Sequence, residues 1–323
     1  MRGQKIPHTI HLITLLQMDK KYQIAVFYYT QTGQILAILK SLLTPLLSQG
    51  CQVIYKSIEP KTPFPYPWDK ESFYQAFPES RQGIPCDLKP IDYSDIKDAD
   101  LVVIGLQPWF LSPSIPIASF LQHPDAIEYL NGKMVITVVG SRNMWVSCHD
   151  ALSCYFMKTN SNWIGNITLE DRHNNLVSVL TIFRWLIGGV KEKTRFLPSA
   201  GVSQEDIDKV SSLAPDILKV LTDKDYDSLQ QRIVEKGGVV FHYDLYQIEK
   251  VGYKMFGFWS KYVLKKGSFN SPDRSWRLKL FSWYLMFVLF VLSPIAIAVF
   301  WLLFPLRKKS LSRIKKKYLY LCD

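Results

Sequence analysis

The chain offers little sulfur chemistry. Its five cysteines (Cys51, Cys86, Cys148, Cys154 and Cys322) are odd in number and form no CxxC pair. They read as reduced, structural thiols rather than a disulfide framework. No group of Cys and His has metal-ligand spacing, so no metal is expected. The glycine-rich phosphate-binding patterns, GxxxxGK before Ser or Thr and GxGxxG, are both missing. Acid is scarce from Lys254 to the end, where fourteen Lys and Arg face only Asp273 and Asp323. The net charge of the chain is +11, so the rest of it lies near −1. Basicity confined to the flanks of one apolar stretch suits lipid headgroups, and no nucleic acid is expected as a partner. Charge is absent altogether from Leu280 to Leu306.

What is present alternates. Apolar runs at 23–29, 51–58, 99–106, 133–140 and 162–169 read as strands. The continuous Val/Ile/Leu character of the middle ones signals strands covered on both faces, hence a parallel sheet. Helical patterns separate them at 34–48, 70–77, 117–121 and 145–158. That alternation predicts a doubly wound α/β fold, whose ligands bind beyond the carboxyl ends of the strands. Three turns lie at those ends: 30–34, 107–113 and 140–145. Between them, prolines 60, 63, 65 and 67 forbid regular structure around Phe64, Tyr66 and Trp68. These aromatics are expected to pack the loop onto the domain or onto a ligand.

The turn after the first strand, Thr30-Gln-Thr-Gly-Gln34, opens a helix, and helix N-termini attract anions. It resembles the T/S-x-T-G turn with which flavodoxin-like proteins hold the phosphate of FMN. Where that pattern continues with Thr, this chain has Ile35. The resemblance implies a flavodoxin-like fold with Thr30, Gln31, Thr32, Gly33 and Gln34 around the phosphate. Pro108, Trp109, Phe110 and Leu111 would lie against the isoalloxazine ring, and Gly140, Ser141, Asn143 and Trp145 at its polar edge. Arg142 is the candidate for stabilising negative charge, and His149 and Tyr155 are the candidate bases.

The remainder departs from a small flavin domain. Residues 18–200 are expected to form the flavodoxin-like domain, after a disordered extension over 1–17, with Met18 as the natural start. Residues 201–275 read as a helical, membrane-proximal region, with helices at 203–221, 225–236 and 243–264. Leu176 to Ile187 is too short to cross a bilayer and reads as either a buried or an interfacial helix. A membrane segment is expected over 276–306, belted by Trp276, Trp283, Tyr284 and Trp301, followed by a basic tail over 307–323. Both flanks are basic, which one crossing cannot keep on one side. One span kinked at Pro294, with the folded domain in the cytoplasm at the cytoplasmic membrane, is the expectation, and a re-entrant monotopic anchor is the alternative.

Five motifs carry a wider resemblance: Tyr-Thr-Gln-Thr-Gly-Gln (29–34), Pro-Phe-Pro-Tyr-Pro-Trp (63–68), Ala-Phe-Pro-Glu-Ser (76–80), Trp-Phe-Leu-Ser-Pro-Ser-Ile-Pro (109–116) and Gly-Ser-Arg-Asn-Met-Trp (140–145). They resemble bacterial dialkylresorcinol condensing enzymes of the DarA type. That resemblance implies a part in making dialkylresorcinols of flexirubin-type pigments, with a ketosynthase and an acyl carrier protein as partners and membrane lipids around an alkyl-chain substrate. A ketosynthase needs an activated Cys, and the Cys148–His149 pair cannot meet on one helix face. The expected reaction is therefore FMN-dependent oxidation, the aromatisation of a dialkylcyclohexanedione. An NAD(P)H:quinone reductase and a cofactor-free scaffold are the alternatives.

Overall fold

The computed structural model describes residues 21–321. The extension expected over 1–17, and a start at Met18, lie outside them. Five strands, β1 Gln23–Tyr28, β2 Gln52–Ser57, β3 Leu101–Leu106, β4 Met134–Ser141 and β5 Asn162–Glu170, pair in parallel. Their spatial order is β2-β1-β3-β4-β5. This is the flavodoxin-like order, which reverses between β1 and β3 and opens a crevice there. Every residue of β3 is buried, as its unbroken Leu-Val-Val-Ile-Gly-Leu run requires.

Twelve helices accompany the strands in the described residues: α1 Gln34–Ser48, α2 Lys70–Gln82, α3 Ile115–Phe120, α4 Pro124–Leu130, α5 Val146–Thr159, α6 Asn175–Gly188, α7 Gln204–Lys209, α8 Ala214–Asp223, α9 Leu229–Glu235, α10 Tyr243–Leu264, α11 Ser275–Phe287 and α12 Ser293–Tyr320. On one face of the sheet α1 approaches closely. A Cβ on Gly105 would stand 2.5 Å from Leu39 and 2.9 Å from Ile35, and one on Gly140 2.8 Å from Ile35. α7 to α9 cover the rest of that face, with Leu229 and Ile233 against Gly165. Residues 202–241 thus belong to the main core, and packing does not break at residue 200. The other face carries Phe120 and Tyr129 on Phe27, and Phe156 on Trp163.

Two helices differ from the sequence expectation. α2 runs on through Pro78 to Gln82. Asp69 caps its start by accepting from the Ser72 amide, Gly83 closes it at φ 63°, and burial of residues 75–80 outweighs the one donor that Pro78 lacks. The helix expected over 203–221 is split by a 3₁₀ turn at Val210–Leu213, because Pro215 suits a helix start and not an interior.

The C-terminal helical run, Pro272–Tyr320, is long and apolar enough to cross a membrane. Only 11% of its most apolar 18-residue stretch is buried, so it is not a core helix. Its start is clamped by Arg274, fully buried, which donates to both carboxylate oxygens of Glu79 at 2.6 and 2.8 Å and to the Gln75 carbonyl at 2.5 Å. Phe281 stacks on Phe77 with centroids 3.7 Å apart. A π-turn at Val288–Leu292 joins α11 to α12. The far end returns to the same body: Gln230 donates to the Leu319 carbonyl at 2.6 Å, the Tyr318 hydroxyl to Asp150 at 3.2 Å, and Tyr318 stacks on Phe241.

Removing one member of a buried pair leaves the other charge uncompensated. Arg274→Ala is expected to destabilise by ~3–5 kcal/mol, and the double change Glu79→Met with Arg274→Met to recover most of that loss. Thermal unfolding in detergent measures both.

Candidate functional site

An apolar cavity of about 230 Å³ lies beyond the carboxyl ends of β3 and β4. Pro108, Trp109, Phe110 and Leu111 form one wall, and Arg142 and Met144 a second. α6 closes it with Val179, Ile182, Phe183 and Leu186, α10 with Ile248, Glu249, Gly252 and Phe256, and α11 and the π-turn with Leu285, Val288 and Leu289. The chain reaches this arrangement through local structure. Pro108–Trp109 and Ser112–Pro113 pair as a minute hairpin. Its two tip residues, Phe110 and Leu111, hold φ of 46° and 66°. Left-handed backbone in bulky residues is strained by roughly 1–2 kcal/mol each, and such strain gathers at functional sites.

α6, left open in the sequence as buried or interfacial, covers the carboxyl edge of the sheet. Its first turn holds Arg142. The guanidinium donates to the Asn175 carbonyl at 3.0 Å, to Asn175 Oδ1 at 2.6 Å and to Ser178 Oγ at 3.0 Å. Arg142 joins no ion pair among the described residues. Burial lowers its pKa to about 10, against the opposing pull of Asp171 and Glu249. It therefore stays charged at neutral pH, and a half-buried cation hydrogen-bonded only to neutral acceptors favours an anionic ligand.

Glu249 also lines the cavity and is not among the residues expected from the sequence. It is buried and accepts from the backbone amides of Val146 at 3.3 Å and Ser147 at 2.5 Å, at the start of α5. Burial pushes its pKa up to about 7, and those amide bonds limit the rise. A carboxyl group poised near neutrality in an apolar cavity is suited to exchanging a proton. The available signal was helical spacing: Glu249, Gly252 and Phe256 fall at i, i+3 and i+7, one face of α10.

The other expected residues divide. Trp109 borders the cavity while Tyr29, Phe64 and Trp68 hold it edge-on, which settles how the proline-rich loop packs. In the 30–34 turn, Gly33 is left-handed at φ 81°, with open space where a Cβ would stand. The first amides of α1 have no helical acceptor. The side chains of Gln31 and Gln34, however, are engaged within the protein. Gln31 accepts from Trp68 Nε1 at 3.1 Å and donates to the Pro65 carbonyl at 2.9 Å, and Gln34 exchanges two bonds with the Val202 backbone at 3.1 and 3.2 Å. Only their backbone remains for an anion. The Thr32 hydroxyl faces the Gln34 amide at 3.5 Å.

Thr30 Oγ1, Gln107 Oε1, Ser141 Oγ and Asn143 Oδ1 are buried without a hydrogen-bond partner among the described residues. All four lie at or just after the carboxyl ends of β1, β3 and β4. Buried polar atoms are normally paired, so this edge presents a polar rim that fits a phosphate and ring-edge heteroatoms such as those of FMN. Gly140 instead packs on Ile35, and Trp145 lies in the core, donating to the Val240 carbonyl at 3.1 Å. Neither faces the cavity.

Both candidate bases are misplaced for it. His149 is buried among Trp145, Trp163 and Tyr318, its ring nitrogens unpartnered among the described residues, and burial lowers its pKa to about 4. Tyr155 accepts from Gln122 Nε2 at 3.3 Å beside Gly83, in a separate surface depression, and burial raises its pKa to about 12. Helix α5 turns both away from the carboxyl edge.

No protein-family model and no curated protein matches the chain. Solved structures that are similar include a WrbA-like flavodoxin from Agrobacterium tumefaciens, at 10% identity and TM-score 0.38, covering 63% of this chain and 99% of that one. A flavoprotein in complex with FMN from Lactobacillus acidophilus is 18% identical at TM-score 0.36, covering 46% and 93%. A flavodoxin from the domain Archaea is 11% identical at TM-score 0.34, covering 62% and 98%. The strand order, rather than these scores, defines the fold.

The raised pKa of Glu249 fixes a pH dependence. Between the ordinary 4.5 and about 7 the folded state binds a proton that the unfolded state has released. Glu249 therefore lowers stability as pH rises through that window, by on the order of 3 kcal/mol in total, and adds no further change above it. Glu249→Gln is expected to gain that amount relative to the unaltered chain over the same window, read as the difference in thermal unfolding at each pH. A pH-independent difference would contradict the buried, proton-binding carboxyl.

Proposed function

We propose that this chain is a membrane-attached, FMN-dependent oxidoreductase that aromatises a dialkylcyclohexanedione to a dialkylresorcinol. One observation carries the reading: an unpaired guanidinium, Arg142, and a near-neutral carboxyl, Glu249, face the same apolar cavity at the sheet's carboxyl edge. The resemblance to dialkylresorcinol condensing enzymes supports the substrate class, and with it a ketosynthase and an acyl carrier protein as suppliers of the carbon chains.

FMN would be held by Thr30 and the backbone of the 31–35 turn at its phosphate, and by Gln107, Ser141 and Asn143 at the ring edge. When bound it supplies a two-electron acceptor. The chain's own residues do the rest. Turning the dione into a resorcinol removes two hydrogens, one of which leaves as an α-proton. Glu249 in its ionised form takes that proton, and Arg142 holds the oxygen on which the enolate charge develops. The aliphatic and aromatic walls exclude water and accept alkyl chains.

Protein purified in detergent is expected to carry a flavin absorbance band, bleached without oxygen by a dialkylcyclohexane-1,3-dione. Arg142→Met should lower kcat/KM by about 100-fold or more, and Glu249→Gln by ~10²–10⁴-fold with loss of the rate's dependence on a group near pH 7. Colourless protein that binds no added FMN would overturn the proposal. Rapid bleaching by NADPH with none by the dione would replace it with a quinone-reductase activity.

A further inference from the structure

The C-terminal helical run has two faces along one stretch. Leu285, Val288 and Leu289 line the cavity, while Phe287, Phe290, Val291 and Leu292 are exposed. Exposure continues along α12 through Ile295, Val299, Trp301 and Leu302 to Leu306, which is 85% exposed. α10 does the same. Glu249, Gly252 and Phe256 face the cavity, and Val251, Met255 and Phe258 form an exposed apolar stripe at i, i+4 and i+7. Apolar surface on this scale calls for an apolar partner. The cations flanking the uncharged stretch Leu280 to Leu306 identify it as an anionic phospholipid leaflet: Lys261, Lys265, Lys266, Arg277 and Lys279 before that stretch, and Arg307 to Lys317 after it.

Topology follows from where the ends sit. A straight helix from Ser275 to Tyr320 would run about 70 Å, well beyond the roughly 30 Å of a bilayer's hydrocarbon. Its tail would then lie on the side away from the folded body. Instead both ends touch that body. Arg274 and Phe281 are fixed to α2, while Tyr318 and Leu319 are fixed to α5, α9 and the chain before α10. Midway, Phe304 meets Tyr243, at the start of α10, with ring centroids 5.5 Å apart. The π-turn, Pro294 and Pro305 are the features that let such a run bend. A same-side return also removes the conflict between two basic flanks and one crossing.

We propose that this helix is a monotopic anchor, embedded from the side of the folded body, with both basic flanks at the headgroups of one leaflet and the Leu285–Leu289 stretch as a wall shared by the bilayer and the cavity. Molecules with alkyl chains then enter the cavity laterally from the lipid. The proposal shares the alkyl-chain substrate with the functional reading but does not depend on its redox chemistry, so a flavin-free protein would still behave this way.

The test uses the full chain in cell membranes and in phosphatidylglycerol–phosphatidylethanolamine vesicles. With Cys86, Cys154 and Cys322 replaced by Ala and the buried Cys51 and Cys148 kept, Ser268→Cys and Ser312→Cys place a thiol on each flank. An impermeant maleimide is expected to label both from the same side. Labelling from opposite sides would overturn the anchor. A phospholipid bearing a photoreactive diazirine at its chain end is expected to leave adducts on the cavity residues Ile182, Phe183 or Phe256 as well as on exposed Phe290 and Leu302. Adducts confined to the exposed residues would overturn the lateral opening.

Discussion

The bidentate contact between Arg274 and Glu79 is the constraint from which the arrangement of the site follows. A fully buried guanidinium is tolerable only where its donors are matched, and Glu79 and the Gln75 carbonyl match them. Because Glu79 lies on α2, beside the proline-rich loop, the pair fixes where the C-terminal run begins. From there, α11 must pass along α10. Phe281 reaches Phe77, and Leu285, Val288 and Leu289 reach the cavity. Without that fixed start, the wall facing Arg142 and Glu249 would be open to solvent, and neither group would be desolvated enough to hold a shifted pKa.

The same desolvation gives the two groups complementary parts. Arg142 stays charged because even a value lowered to about 10 lies above neutral pH, so the cavity always contains a cation. Glu249 stands near the point where it gains or loses its charge. An anion formed within the cavity is favoured by the first group, and the proton released in forming it is accepted by the second. Strain at Phe110 and Leu111 belongs to the same design. The hairpin tip holds two bulky residues in left-handed backbone, where Asn and Gly are usual, and both line the cavity.

The sheet was legible because each strand is short, apolar and bounded by a turn, and its burial on both faces shows directly in composition. α1, expected at 34–48, lies at Gln34–Ser48 for the same reason. The cavity is legible only at the strand ends, where topology alone predicts ligands, and there Arg142 and the 108–111 turn line it. Proline misled in both directions. It did not stop α2, whose buried face outweighs one missing donor, and it did divide α7 from α8. His149 and Tyr155 have suitable chemistry and lie close in sequence to the 140–145 turn, but helix α5 carries them away from it. Glu249 lies more than a hundred residues from Arg142 in sequence, and only the return of α10 over the sheet edge brings it in. The docking of both ends of the C-terminal run is likewise long-range and leaves no local trace beyond its two basic flanks.

Ile35 is where the 30–34 turn departs from the T/S-x-T-G pattern it resembles. It reads in the sequence as a lost hydroxyl, and in the fold it is a core residue, packed against both Gly105 and Gly140. Gly105 and Gly140 leave room that a β-branched side chain fills, on the strands that carry the site. A hydrogen bond to a charged group contributes roughly 1.5–3 kcal/mol, so on the proposed function its loss weakens binding of the FMN phosphate by about ten- to a hundredfold. The amides at the start of α1, the Thr30 hydroxyl and the positive end of the helix are unaffected, and they supply the larger share of an anion's binding. If FMN binds as proposed, packing Ile35 under the strand ends trades some cofactor affinity for a firmer floor beneath the cavity. On the function proposed above, that exchange suits a site that holds an alkyl-chain substrate against two fixed polar groups.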